Sequence, residues 1–141
     1  MIATRDIYWL AGFIEGEGHV RFAHQNNCIT IGACSKDKDV IDKASSLLDT
    51  KTFGPYRNKT CEMYEFRLYG IRAASWIMTL YSLMGERRRE QMKKALHLWK
   101  TVPIRNKQGL TKILSPTESA ARSLSVTAAD LKEAISRVLH S

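Results

Sequence analysis

The sequence predicts an α+β fold in which helices cover one face of a four-stranded antiparallel sheet. Two pairs of short segments alternate apolar and polar residues, as strands with one solvated face do. Segments with helical periodicity precede, separate and follow these pairs. The resulting order is α-β-β-α-β-β-α-α with two further C-terminal helices. The 141 residues suit a single domain over 1–141, with a core at about 5–101 and C-terminal helices at about 115–140.

The first half of the chain predicts a helix, a hairpin and a second helix. Residues 6–17 form the first helix, and Gly18 ends it. Strands at 18–24 and 28–34 flank a polar turn. On the second strand, Ile29, Ile31 and Ala33 face one way, and Cys28, Thr30, Gly32 and Cys34 face the other. Asp37 can cap the next helix, which runs to about Asp49.

The second half repeats the hairpin and adds helices. A turn at Gly54 and Pro55 leads to strands at 56–59 and 62–69. On the longer strand, Tyr64, Phe66 and Leu68 share one face, and Glu65, Arg67 and Tyr69 share the other. Helices follow at about 71–81 and 86–101, separated by Gly85. Ser115-Pro116-Thr117-Glu118 combines an N-cap, a first-turn proline and a capping box, which starts the C-terminal helices.

Charge and composition favour a polyanionic partner. The chain carries 22 Lys and Arg against 14 Asp and Glu, a net charge of +8. Residues 86–112 hold nine of those cations and only two acids, so they form a phosphate-contacting patch or a solvated helix face. The longest apolar stretch, residues 8–14, is too short to span a bilayer, and no secretory signal opens the chain. Three cysteines without a C-x-x-C pattern argue against a disulfide framework or structural zinc. We expect an intracellular protein of the cytoplasm or an organelle, with no membrane partner.

Residues 8–18, Y-W-L-A-G-F-I-E-G-E-G, are unusual for a helix. Gly12 and Gly16 lie on one face, cost about 1 kcal/mol each relative to Ala and allow another backbone to approach closely. Glu15 and Glu17 fall in the last turn, where the helix dipole disfavours acids. Two copies packed through the glycines would bring two Glu17 carboxylates together around bridging cations. The alternative is a buried helix with a loose acidic end. The dimer interface predicted from this packing comprises Tyr8, Gly12, Glu15 and Gly16.

Residues 10–18 resemble the nine-residue motif of the LAGLIDADG homing endonucleases, with acids at both acidic positions. The order of elements over residues 5–101 is similar to the αββαββα core of that family, and the C-terminal helices resemble it more weakly. The resemblance implies a site-specific DNA endonuclease that hydrolyses both strands. A single motif implies a homodimer acting on a long, pseudo-palindromic site. The alternative within this fold is a non-catalytic intron maturase or DNA-binding regulator.

The resemblance also implies a catalytic site. Glu17 would be the metal ligand, assisted by the carbonyl of Gly16, and the metal would be Mg²⁺, with Mn²⁺ or Ca²⁺ as substitutes. Arg88 and Gln91 match a K-x-x-Q-like pattern of the family, with Arg in place of Lys. Arg88 would stabilise the phosphate or order the attacking water, since an arginine cannot act as a general base. No small-molecule cofactor is expected.

Polar residues of the two hairpins are the candidate contacts with double-stranded DNA, although any solvated sheet face needs the same residue types. The predicted DNA-binding residues are Arg21, Gln25, Asn27, Thr30, Tyr56, Asn58, Glu65, Arg67, Tyr69 and, on the C-terminal helices, Arg122. Ser123 and Lys132 are expected to flank phosphates beside Arg122. His19 directly follows the motif, and we interpret it as an exposed strand histidine.

Overall fold

A computed structural model of the chain describes residues 1–102 and 128–140. Its elements are α1 (Thr4–Glu17), β1 (Gly18–Ala23), β2 (Cys28–Ser35), α2 (Lys38–Leu47), β3 (Phe53–Asn58), β4 (Cys61–Tyr69), α3 (Gly70–Leu80), a 3₁₀ turn (Tyr81–Leu83), α4 (Glu86–Thr101) and α5 (Ala128–Leu139). The described helices include none with the length and apolar character needed to cross a membrane.

The four strands form one antiparallel sheet in the order β1-β2-β4-β3. This arrangement confirms the predicted fold class. The two hairpins meet through β2 and β4, so that Gly32 lies between His19 of β1 and Arg67 of β4. The sheet therefore places the polar faces of both hairpins on a single surface, which we call the open face.

β3 begins at Phe53, three residues before the predicted start at Tyr56. Gly54 has φ +121°, a conformation that glycine adopts without steric cost. The pairing with β4 shifts between Phe53 and Tyr56. The irregular pairing lets the strand bend at Gly54-Pro55 without leaving the sheet. The sequence predicts a turn at these two residues, and the structure places them in β3.

The helices bury the other face of the sheet. Ile29 and Ile31 of β2 and Phe66 of β4 are fully buried there. The helical side of the core includes Leu10 and Ile14 of α1, Ile41 of α2, Ala74 and Ile77 of α3, and Met92 and Leu96 of α4. Asp37 occupies the N-cap of α2 without a side-chain capping bond, contrary to the prediction, and its own N–H donates to Ser35 Oγ at 3.2 Å.

α5 packs against α3 and α4, with Leu131 and Ile135 buried. Lys132 Nζ donates to the Val102 carbonyl at 3.1 Å and lies 5.2 Å from the centroid of the Trp99 ring. Burial lowers the pKa of Lys132. The Lys132 ammonium is therefore bonded to the residue that follows α4, and its contact with phosphates stays a prediction. Arg122, Ser123 and the start signal at 115–118 lie outside the described residues.

Candidate active site and nucleic-acid interface

Glu17 stands at the junction between a helix and the sheet. It is the last residue of α1, and β1 begins at Gly18 with no loop between them. A Cβ on Gly18 would lie 2.5 Å from the Ile14 carbonyl oxygen, so this tight junction requires glycine. The Glu17 side chain is exposed, and no group in the described part of the chain pairs with its carboxylate. Glu17 is therefore held in position through its backbone and carries an uncommitted negative charge.

One face of α1 is open along its length. Leu10 and Ile14 are buried, whereas Tyr8 is 61% exposed. A Cβ built on Gly12 or Gly16 would meet nothing within 4 Å. Exposed glycines weaken a helix and contribute no packing within a single chain. This face, defined by Tyr8, Gly12 and Gly16, therefore has the shape that close approach of another surface requires.

Glu15 and Arg88 join the end of α1 to the start of α4. Glu15 Oε2 accepts a hydrogen bond from the Gly85 N–H at 3.0 Å, and Gly85 is the N-cap of α4. The Glu15 carbonyl accepts one from Arg88 Nη2 at 2.8 Å. Arg88 Nη1 also donates to Gln91 Oε1 at 2.8 Å. These bonds satisfy backbone groups that helix ends otherwise leave unpaired, and they place a negative charge at the positive end of α4. We call this arrangement the α1–α4 clamp.

Two predicted site residues, Glu15 and Arg88, lie within the clamp and not where the sequence predicts them. The Glu15 carboxylate, expected at the dimer interface, is bound to Gly85 of its own chain. Arg88 is only 4% exposed, and its Nε has no partner among the described residues. Burial and, secondarily, the nearby Arg87 lower the pKa of Arg88, although a guanidinium still cannot serve as a base. Arg88 and Gln91 contact each other, with Arg88 buried against the last turn of α1 and Gln91 exposed.

The open face carries most of the predicted DNA-binding residues. Arg67 Nη2 and Glu65 Oε1 form an ion pair at 2.9 Å. The side-chain hydrogen bond to Glu65 raises the pKa of Arg67. Tyr56 and Tyr69 are each 50% exposed, and the register places them on this face with Arg21. A shallow concavity of about 460 Å³ lies among Cys34, Tyr56, Arg57, Met63, Glu65 and Arg67. Exposed aromatic and cationic groups of this kind suit a nucleic-acid surface.

Thr30, by contrast, is a predicted base reader that has little exposed surface in this conformation. It is only 6% exposed, because its cross-strand neighbours are the long side chains of Arg21 and Tyr69. In the β1–β2 turn, Gln25 is exposed and Asn27 is half-buried with φ 51°. Asn58 lies at the end of β3.

His19 lies on the open face and is half-buried, whereas the sequence predicts an exposed strand histidine. A Cβ on Gly32 would lie 2.9 Å from Cε1 and Nε2 of the imidazole, so the ring lies across Gly32. Nε2 is buried and has no hydrogen-bond partner in the described residues. Burial first, then Arg21 and Arg67, lowers the pKa of His19. The hairpin register, which pairs His19 with Gly32, is the sequence signal that predicts this packing.

The donor atoms around Glu17 fit a hard divalent cation. Glu17 offers a carboxylate, and Gly16 lies in the last helical turn, where carbonyls lack helical donors. Oxygen ligands suit Mg²⁺ and Ca²⁺, and Mg²⁺ keeps several waters and substrate phosphates in its shell. The described residues contain no cluster of three or more His, Cys, Asp or Glu side chains arranged for a metal. The Glu17 carboxylate and the Gly16 carbonyl are therefore the candidate ligands that the described residues offer at this end of α1.

Comparison with known proteins identifies the architecture. No family model and no curated protein sequence matches the chain. Among solved structures, the homing endonuclease I-CvuI bound to its target with 2 mM Ca is 15% identical, with a TM-score of 0.55 and coverage of 96% of this chain and 97% of that one. I-CvuI with the I-CreI target and 2 mM Mg, where the DNA is not cleaved, is 16% identical, with a TM-score of 0.51 and 99% of both chains covered. The chain therefore has the LAGLIDADG homing endonuclease fold.

Proposed function

We propose that this chain is a Mg²⁺-dependent, site-specific DNA endonuclease of the LAGLIDADG homing endonuclease family. It acts as a homodimer on a long, pseudo-palindromic duplex site. The observation that carries the proposal is the uncommitted, exposed Glu17 at the end of the open Tyr8–Gly12–Gly16 face. Two-fold pairing of that face would bring one Glu17 from each chain to the centre of the assembly, one for each DNA strand.

The likeness to I-CvuI supports a DNA partner and a divalent cation. Both I-CvuI structures hold a DNA target, one with Ca and one with Mg. In this chain the net charge of +8 favours the same kind of partner. A protein that acts on genomic DNA works inside the cell, in the cytoplasm or an organelle.

Each group of residues has a separate task in the reaction. The open face binds the duplex, with Arg67 fixed by Glu65 and the exposed rings of Tyr56 and Tyr69 beside it. Glu17 and the Gly16 carbonyl would hold the divalent cation. A bound divalent cation neutralises charge on the phosphate and lowers the pKa of water. The α1–α4 clamp holds the last turn of α1, so that Glu17 meets the phosphate in a fixed geometry.

The proposal is tested by comparing Glu17→Gln with Glu90→Gln. Glu90 is exposed on α4 and lies 4.0 Å from Lys93, so its replacement removes the same charge away from the site. Sites are first selected from a randomised duplex library and then placed in supercoiled plasmid. We expect the wild type and Glu90→Gln to cleave with Mg²⁺. Glu17→Gln should bind DNA but cleave at least on the order of 10²-fold more slowly, since loss of even an indirect support of a metal costs 10–100-fold.

A second candidate function is a nucleic-acid-binding protein of the same fold that does not cleave, either an intron maturase or a DNA-binding regulator. The burial of Arg88 favours this second function. Arg88 stands at the position that resembles the family's lysine, but its guanidinium is buried and bonded to Glu15, so it presents no free cation to a phosphate. Binding of DNA or intron RNA by the wild type and Glu17→Gln alike, without nicking in either, would select this function over the endonuclease.

A further inference from the structure

A groove beside the open face runs between the edge strand β1 and helix α4. Its volume is about 290 Å³. The apolar lining includes Val20 and Ala95, while the polar lining consists of Arg21, His24, Gln91 and Lys94. None of the eight lining residues is acidic, so the charged side chains that line the groove, Arg21 and Lys94, are both positive.

The polar groups of the groove are free to act as hydrogen-bond donors. Among the described residues, no carboxylate pairs with Arg21 or Lys94, and both side chains are exposed. The carbonyl oxygen of Gln91 is taken by Arg88 Nη1, which leaves the amide N–H₂ as the donor available to the groove. The His24 ring is braced edge-on against Phe22, with the ring centroids 5.0 Å apart. Such a set of donors without a fixed acceptor suits an anion.

We propose that this β1–α4 groove binds the phosphate backbone of duplex DNA. The proposal rests on the proposed function and extends the DNA footprint beyond the open face. Arg21 connects the two surfaces, because it belongs to the open face by register and also lines the groove. A strand that crosses the open face can therefore continue past the edge of β1, where Lys94 and Gln91 receive its phosphates. In this role the groove adds affinity and orientation without reading base sequence.

Lys94→Gln and Lys93→Gln provide a matched test. The two lysines are consecutive on α4, but only Lys94 lines the groove, and Lys93 lies 4.0 Å from Glu90. Binding of each protein to a labelled random-sequence DNA duplex is followed by fluorescence anisotropy, from about 50 to about 200 mM KCl. We expect Lys94→Gln to lower the slope of log K against log salt by about 1 and to weaken binding several-fold. The slope for Lys93→Gln should stay close to that of the wild type.

Equal slopes for wild type and Lys94→Gln would overturn the groove assignment and leave the endonuclease proposal standing. An equal loss for both variants would also overturn it, because the effect would then come from total charge. A loss specific to Lys94→Gln, in a protein that never cleaves DNA with Mg²⁺, would support the groove while the endonuclease proposal failed. Wild-type protein that binds no duplex at any salt concentration would overturn both.

Discussion

Arg88 holds two structural elements with one guanidinium. It donates to the Glu15 carbonyl and to the Gln91 side chain while remaining 4% exposed. The planar, forked donor set of arginine suits this double task, whereas lysine has a single ammonium. Arg88 thus positions the last turn of α1, and in the proposed reaction we expect its effect to pass through Glu17.

Arg88→Lys should reduce both stability and catalysis. A buried acceptor without its donor costs about 1–3 kcal/mol, so we expect the free energy of unfolding in urea to fall by that amount. The single-turnover cleavage rate should fall much more than the affinity for DNA, because the scissile geometry changes while the open face does not. Arg87→Lys, an exposed neighbour, is the control. A loss of DNA affinity equal to the loss of rate would contradict the positioning role and point to direct phosphate contact.

At the level of residues, the sequence does not predict contacts between positions that are far apart in the chain. The motif predicts Glu17 and Gly16 as metal ligands and the K-x-x-Q-like spacing predicts Arg88 and Gln91 as catalytic residues, and these assignments stay predictions. The bonds from Glu15 to Gly85 and Arg88 span 70 and 73 positions, which periodicity cannot reveal. Burial of Thr30 depends on the lengths of its neighbours across two strand pairs, so alternation alone suggested an exposed side chain.

At the level of elements, the glycines of α1 lower the stability of the helix and leave the Tyr8–Gly12–Gly16 face open. Gly12 has open space beside it, so Gly12→Ala should stabilise the isolated chain by about 0.5–1 kcal/mol through helix propensity. The added methyl should also weaken self-association several-fold, because it keeps the paired helix backbones apart. Denaturation is measured at concentrations where the chain is monomeric, and sedimentation gives the dimer affinity.

Gly32→Ala is the control, because it should destabilise the single chain, whereas Gly12→Ala should stabilise it. A Cβ there would lie 2.6 Å from the Phe66 carbonyl oxygen, so the single chain should lose about 1–3 kcal/mol by overpacking. If Gly12→Ala left self-association unchanged, the glycine face of α1 would not be the dimer interface.

The sequence predicted most elements well because their signals are local. The bounds of α4 follow from its apolar stripe, and the two antiparallel hairpins follow from the alternation of residues. β3 and the N-cap of α2 were less predictable, since both depend on contacts that the local pattern does not contain. The irregular pairing around Gly54 lengthens β3, and the Ser35 hydroxyl binds the backbone of Asp37.

At the scale of the whole molecule, the proposed assembly divides the work equally between two chains. Each chain contributes one Glu17, so a tethered dimer of one wild-type chain and one Glu17→Gln chain should cut a single strand. We expect nicked circular plasmid as its main product, where the wild-type dimer gives linear DNA. Double-strand cleavage by the mixed dimer at the wild-type rate would show that one carboxylate serves both strands.

The direct junction of α1 and β1 has a consequence for how DNA sites are spaced. No residue lies between Glu17 and Gly18, and the backbone around Ile14 leaves no room for a side chain at position 18. In the proposed homodimer, rotation of one α1 helix against the other would therefore rotate the attached open face with it. One extra base pair at the centre of a target rotates one half-site by about 35° relative to the other, and we expect the loop-free α1–β1 junction to resist a matching rotation of the protein. In the proposed homodimer, the chain would thus fix the spacing of the two half-sites as well as contact their bases.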